Sequence, residues 1–189
     1  MSRRPKLPRA PRPWPCVILA IDPGKVSGWA ILREGRPVLS GTATTREDRE
    51  RAVGSALCIG EDSGLPLVVV GEKWTPGGRF GGARTMAGLG AAWGRWEETL
   101  DEAGVPKTRR LRVNVQTWRA ATIGGPQRKS EQWKADAVAT VRRVYQIEAK
   151  TSDEAEAVLV GRWAESAGEV GRKLPKRTLR ECDMERFVA

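Results

Sequence analysis

Val17-Ile18-Leu19-Ala20-Ile21-Asp22, followed by Pro23-Gly24 and then by Gly28-Trp29-Ala30-Ile31-Leu32, is the stretch on which the reading of this chain turns. An unbroken apolar run that ends in a carboxylate reads as a buried strand carrying Asp22 to the edge of a sheet. Pro23-Gly24 interrupts the run, and the second apolar segment resumes it as a neighbouring strand. The glycines are expected to leave room beside Asp22 for a large ligand. Two further acidic stations follow. Glu72 ends the apolar run Leu67-Val68-Val69-Val70-Gly71, and Asp153 and Glu156 stand near the start of a helix. Three such stations in a basic chain point to a divalent-metal site acting on phosphodiesters.

The chain has 189 residues and a net charge of +10, which favours a polyanionic partner; without a strongly amphipathic basic helix, nucleic acid fits better than a membrane surface. Its length suits one domain with a core of useful size. No stretch approaches the roughly 18 consecutive apolar residues needed to span a bilayer. The N-terminus is basic and proline-rich, without the apolar segment of a secretory signal, so a cytoplasmic protein is expected. Cys16, Cys58 and Cys182 are widely spaced and form no CxxC pair, which argues against a zinc site or a disulfide framework. Cys16 and Cys58 sit in apolar runs and read as small core residues. Histidine is absent, which removes the usual neutral-pH base but leaves carboxylate–Mg²⁺ chemistry open.

The expected organisation is a basic, proline-rich tail over 1–15, a single folded domain over 16–168, and a basic tail over 169–189. Strands are expected over 17–22, 28–32 and 37–44, then a helix from Thr45 to about Ile59, a strand over 67–72 and a helix over 83–103. A strand over 111–115, a helical turn over 117–121, and helices over 130–144 and 152–167 complete the order. A leading meander followed by alternating strands and helices predicts an α/β fold, with a mixed sheet flanked by helices on both faces.

Thr151-Ser152-Asp153-Glu154 fits a capping box, with Thr151 as N-cap and Glu154 reaching back. Asp153 and Glu156 are three apart and share a helical face. If the strands of Asp22 and Glu72 are adjacent, and the last helix crosses the same edge, four carboxylates converge. Such a set can hold two Mg²⁺ ions about 3.5–4 Å apart, and Mn²⁺ accepts the same oxygen ligands.

These segments resemble the RuvC-type Holliday junction resolvases of the RNase H-like superfamily. The matching runs are Ile21-Asp22-Pro23-Gly24 through Gly28-Trp29-Ala30, then Val70-Gly71-Glu72, then Asp153-Glu154-Ala155-Glu156-Ala157. Softer matches are Leu89-Gly90-x-Ala92-x-Gly94, and Trp118-Arg119 through Gly124-Gly125 to Lys129. The resemblance implies a mixed five-stranded sheet and a homodimer that nicks two opposed strands of a four-way junction. It implies Asp22, Glu72, Asp153 and Glu156 as metal-binding catalytic acids. The fourth position is usually Asp in the family, so Glu156 is a departure and Glu154 an alternative. It also implies DNA contacts from Arg128, Lys129 and Lys134, and an aromatic wedge at Trp74 or Phe80 in a glycine-rich segment with Arg79. The chain has eight tryptophans, of which Trp93, Trp96, Trp133 and Trp163 occupy helical positions suited to a core or an interface. Trp29 is expected to pack under the active-site turn. Competing readings are a broader RNase H-like nuclease, a non-catalytic branched-DNA-binding module, and an actin-like kinase, for which the chain is too short.

Overall fold

The computed structural model describes residues 16–73, 83–124 and 129–170. Trp74, Arg79, Phe80, Arg128, Cys182, the expected tail over 1–15 and residues 171–189 lie outside the described residues, while residues 169 and 170, expected in the C-terminal tail, belong to the last helix. Five strands run β1 (Val17–Asp22), β2 (Ser27–Arg33), β3 (Arg36–Ala43), β4 (Leu67–Lys73) and β5 (Arg110–Asn114). Five helices run α1 (Arg46–Ser63), α2 (Ala83–Glu102), α3 (Val115–Thr122), α4 (Ser130–Tyr145) and α5 (Ser152–Val170). They form one mixed sheet in the order β3-β2-β1-β4-β5. The meander β1-β2-β3 is antiparallel, while β4 and β5 run parallel to β1.

Local chemistry sets the turns. Glu34 and Gly35 both have positive φ (51° and 81°), the geometry of a two-residue hairpin whose twist matches its strands. Thr45 caps α1: its hydroxyl accepts from the Asp48 N–H at 3.1 Å, and the Asp48 carboxylate accepts from the Thr45 N–H at 3.1 Å. The backbone N–H groups of Thr44 and Thr45 hold the Asp48 carboxyl down at about 2. The helix runs on to Ser63, past the expected end near Ile59. Gly60 does not break it but lets the chain fold back closely, since a Cβ there would lie 2.9 Å from the Leu65 carbonyl oxygen. Gly64, in the left-handed region, ends it. The expected turn over 117–121 is a full helix, α3, whose start is capped by the Asn114 side chain accepting from the Gln116 N–H at 2.9 Å.

The central strand is buried on both sides, so its side chains divide between two cores. Ile18 and Ala20 face α3, α4 and α5 with Val68, Val70, Trp118, Val141, Leu159 and Trp163. Val17, Leu19 and Ile21 face α1 and α2 with Val69, Val53, Trp93, Trp96 and Leu100. Trp29 is buried on this second face, against Gly41. Trp93, Trp96 and Trp163 are core residues, whereas Trp133 is only half-buried. Cys16 is buried, its thiol pushed up to about 12 by burial and by the nearby Glu165 carboxylate. Cys58, expected in the core, is exposed: α1 turns Ala52, Val53, Ala56 and Gly60 inward, and residue 58 falls off that face.

Helix α5 lies on the sheet at backbone distance. A Cβ at Gly161 would meet Leu32 Cδ1 at 2.1 Å, and one at Gly28 would meet the Asp153 carbonyl oxygen at 1.8 Å. The space beside Asp22 that Gly28 was expected to keep for a ligand is therefore filled by the chain itself. Gly24 serves the turn, which Ser27 Oγ ties by accepting from the Gly24 N–H and donating to its carbonyl, both at 3.2 Å.

This packing separates the glycines by function. Gly161→Val and Gly28→Ala are each expected to destabilise the protein by about 1–3 kcal/mol through overpacking. Gly54→Ala, in mid-helix with open space around it, is expected to stabilise it by about 0.5–1 kcal/mol. Urea midpoints at constant slope check both signs.

Candidate active site

Strand register brings the first two acids together. Ile21 pairs with Gly71 in the parallel β1–β4 ladder, so Asp22 and Glu72 follow side by side at the carboxyl ends of their strands. Alternation turns both toward the face that α5 covers, as Ile18, Ala20, Val68 and Val70 already show. Asp153 sits in the first turn of α5, directly over Gly28, and Asp22 is the residue paired with Gly28. Glu156 is one turn further along α5, only 3% exposed.

Asp22 and Glu156 feel the charges around them. The Asp22 carboxyl is pushed well above the usual range, first by burial, then by the charges of Glu72 and Glu156, a hydrogen bond with the Glu72 carboxyl, and the charge of Asp153. Burial also raises Glu156; Arg119 opposes this and Glu72 adds to it. The protein supplies two cations of its own. Arg119 Nη2 donates to Glu156 Oε2 at 2.9 Å and to Oε1 at 3.1 Å. Lys134 Nζ, from α4, donates to Asp153 Oδ1 at 3.4 Å. The Arg119 guanidinium also faces the rings of Trp118 and Trp133, at 5.2 Å and 5.6 Å from their centroids. Glu72 is backed from the other side of the sheet. Trp93 lies against Gly71, Arg112 stacks on Trp93 at 4.2 Å, and Arg112 Nη2 reaches the Glu72 carbonyl at 3.4 Å.

Glu154, the alternative fourth ligand, is otherwise engaged. Its Oε1 accepts from Ser40 Oγ at 2.7 Å and its Oε2 from the Lys150 N–H at 2.8 Å. Thr151 Oγ1 does accept from the Glu154 N–H at 3.1 Å, but the returning arm of the expected capping box goes to Lys150 instead of Thr151. Glu154 thus ties the start of α5 to β3. Lys129 is exposed just before α4. The sequence reading gave no role to Arg119 or Ser40. For Arg119 the available signal was its place after a tryptophan within the softer match.

All the acids here offer oxygen, the donor that hard divalent cations take, and their mutual repulsion in a half-buried setting is what such a cation relieves. The donor set therefore fits Mg²⁺ or Mn²⁺. Among the described residues no three acidic, cysteine or histidine side chains close on a common point as a finished metal cage.

The tie through Glu154 is testable apart from any chemistry. Ser40→Ala leaves a buried carboxylate oxygen without its donor and is expected to cost about 1–3 kcal/mol. Ser40→Ala combined with Glu154→Gln is expected to cost less than the sum of the two, as a double-mutant cycle of thermal or urea unfolding will read.

No protein-family model matches the chain, and no curated protein matches it. Solved structures do. RuvC of Thermus thermophilus in complex with a Holliday junction substrate superposes with a TM-score of 0.58 at 17% identity, covering 82% of this chain and 96% of that one. A second Thermus thermophilus RuvC structure gives 0.55 at 19% identity with the same coverage. Among the described residues no helix is long and apolar enough to cross a membrane. The chain has the RuvC-type, RNase H-like fold.

Proposed function

We propose that this chain is a divalent-metal-dependent endonuclease that resolves Holliday junctions or related branched DNA by paired nicks, working as a homodimer. The observation that carries the reading is the meeting of Asp22, Glu72, Asp153 and Glu156 at one edge of an RNase H-like sheet in a chain of net charge +10. Its likeness to a RuvC bound to a Holliday junction substrate supports the choice of branched DNA. The folded unit of 16–168 would carry the chemistry, with the basic segments 1–15 and 169–189 beside it.

In this reading the four carboxylates hold two Mg²⁺ ions, with Mn²⁺ able to replace them. When bound, the metal would supply Lewis acidity and make hydroxide available near neutral pH by lowering the pKa of water. The chain's own residues do the rest. Asp22 and Glu72 present oxygens from rigid strand ends, and Asp153 and Glu156 present theirs from α5. Lys134, beside Asp153, is placed to meet a phosphate oxygen and stabilise the charge that develops there. Lys129, exposed before α4, adds a contact to the DNA backbone. Arg128, Arg79, Trp74 and Phe80, outside the described residues, are assigned to DNA as well, with the aromatics stacking at the branch. Base–aromatic stacking contributes about 1–3 kcal/mol per base.

Cleavage of a labelled four-way junction, beside linear duplex and single strand, tests the proposal with Mg²⁺, Mn²⁺ or EDTA. Paired nicks near the branch are expected, lost in EDTA and lost in Asp153→Asn, while binding weakens steeply as salt rises. Tight junction binding without cutting in either metal would mean a binding module. Equal cutting of all substrates would mean a nuclease without branch selectivity.

A further inference from the structure

We propose that Arg119 is a positioning residue of the acidic centre: it fixes the Glu156 carboxylate in the orientation that a divalent cation needs. The inference rests on the metal-dependent reading above and adds a residue that does not itself touch metal or substrate.

The four acids are not equally constrained. Asp22 stands on a paired strand, and Asp153 has a short side chain on a helix turn pressed against Gly28. Glu156 has one more rotatable bond, so its carboxylate needs an outside hold to keep one position. Arg119 provides it with a single nitrogen that donates to both carboxylate oxygens. A carboxylate offers about four acceptor sites. A donor on the axis that bisects the two oxygens leaves the outward sites free, so the arginine and a cation can be served together.

Arg119 is itself held. Its guanidinium lies by the rings of Trp118 and Trp133. Trp118 is fully buried in the core that α5 shares, and α3 is fixed at its start by the Asn114 cap. A planar, stacked guanidinium keeps its direction better than a lysine on a flexible stem. The chain from core tryptophan to arginine to Glu156 therefore transmits the rigidity of the core to a carboxylate that would otherwise be free to turn.

Arg119→Met keeps an apolar stem beside the tryptophans and removes the donors. Mn²⁺ binding without DNA, read by the electron paramagnetic resonance signal of free Mn²⁺, is expected to weaken about 10- to 100-fold, as for other residues that orient metal ligands. Cleavage should need correspondingly more Mn²⁺, and Arg119→Lys should recover part of the loss. Junction binding in EDTA, read by mobility shift, should stay at the wild-type level. If Arg119→Met does not fold, Arg119→Leu, which also keeps an apolar stem beside the tryptophans and removes the donors, carries the same comparison. Unchanged Mn²⁺ binding and cleavage in a folded variant would overturn the proposal. So would weaker junction binding in EDTA with metal binding intact, which would make Arg119 a DNA contact. A wild-type protein that binds no Mn²⁺ and cuts no junction would instead overturn the nuclease reading, and this inference with it.

Discussion

The contact of α5 with the sheet at Gly28 and Gly161 is the constraint on which the rest depends. A helix normally stands off a sheet by the thickness of two layers of side chains. Here two glycines remove one layer, and the backbone of Asp153 comes down onto β2. That approach sets the height of Asp153 and Glu156 above the ends of β1 and β4, where the register has already fixed Asp22 and Glu72. The acidic centre is the place where a short helix-to-sheet distance meets a parallel strand pair.

Packing like charges so closely has an electrostatic cost, and the surrounding chain offsets part of it. Arg119 and Lys134 come from the two helices that cover α5, and each takes one of its acids. Asp22, without a basic partner among the contacts seen, carries the largest disturbance.

Much of this was legible in the sequence because it was written in local patterns. The apolar runs ending at Asp22 and Glu72 reported both the strands and their edge. The three-residue spacing of Asp153 and Glu156 reported a shared face, and the leading meander followed by alternation reported the mixed sheet. What escaped depended on contacts between distant residues. Gly28 was read as space for a ligand because one sequence cannot show which element fills a gap. Glu154 was read as closing a cap on Thr151, yet its carboxylate bonds Lys150 and Ser40, the latter 114 positions away in the chain. Cys58 was read as core from an apolar run, where the helical period turns it outward. The helix expected to stop near Ile59 runs on to Ser63, because Gly60 accepts the close approach of Leu65 without breaking it.

Helix α5 is tied to the β2–β3 hairpin twice. Glu154 binds Ser40 near its beginning, and the buried Glu165 accepts from the N–H of Gly35 at the hairpin turn. Two anchor points along one rod fix its tilt as well as its position. The hairpin and α5 therefore behave mechanically as a splint, and Asp153 and Glu156 cannot swing without dragging β3 with them.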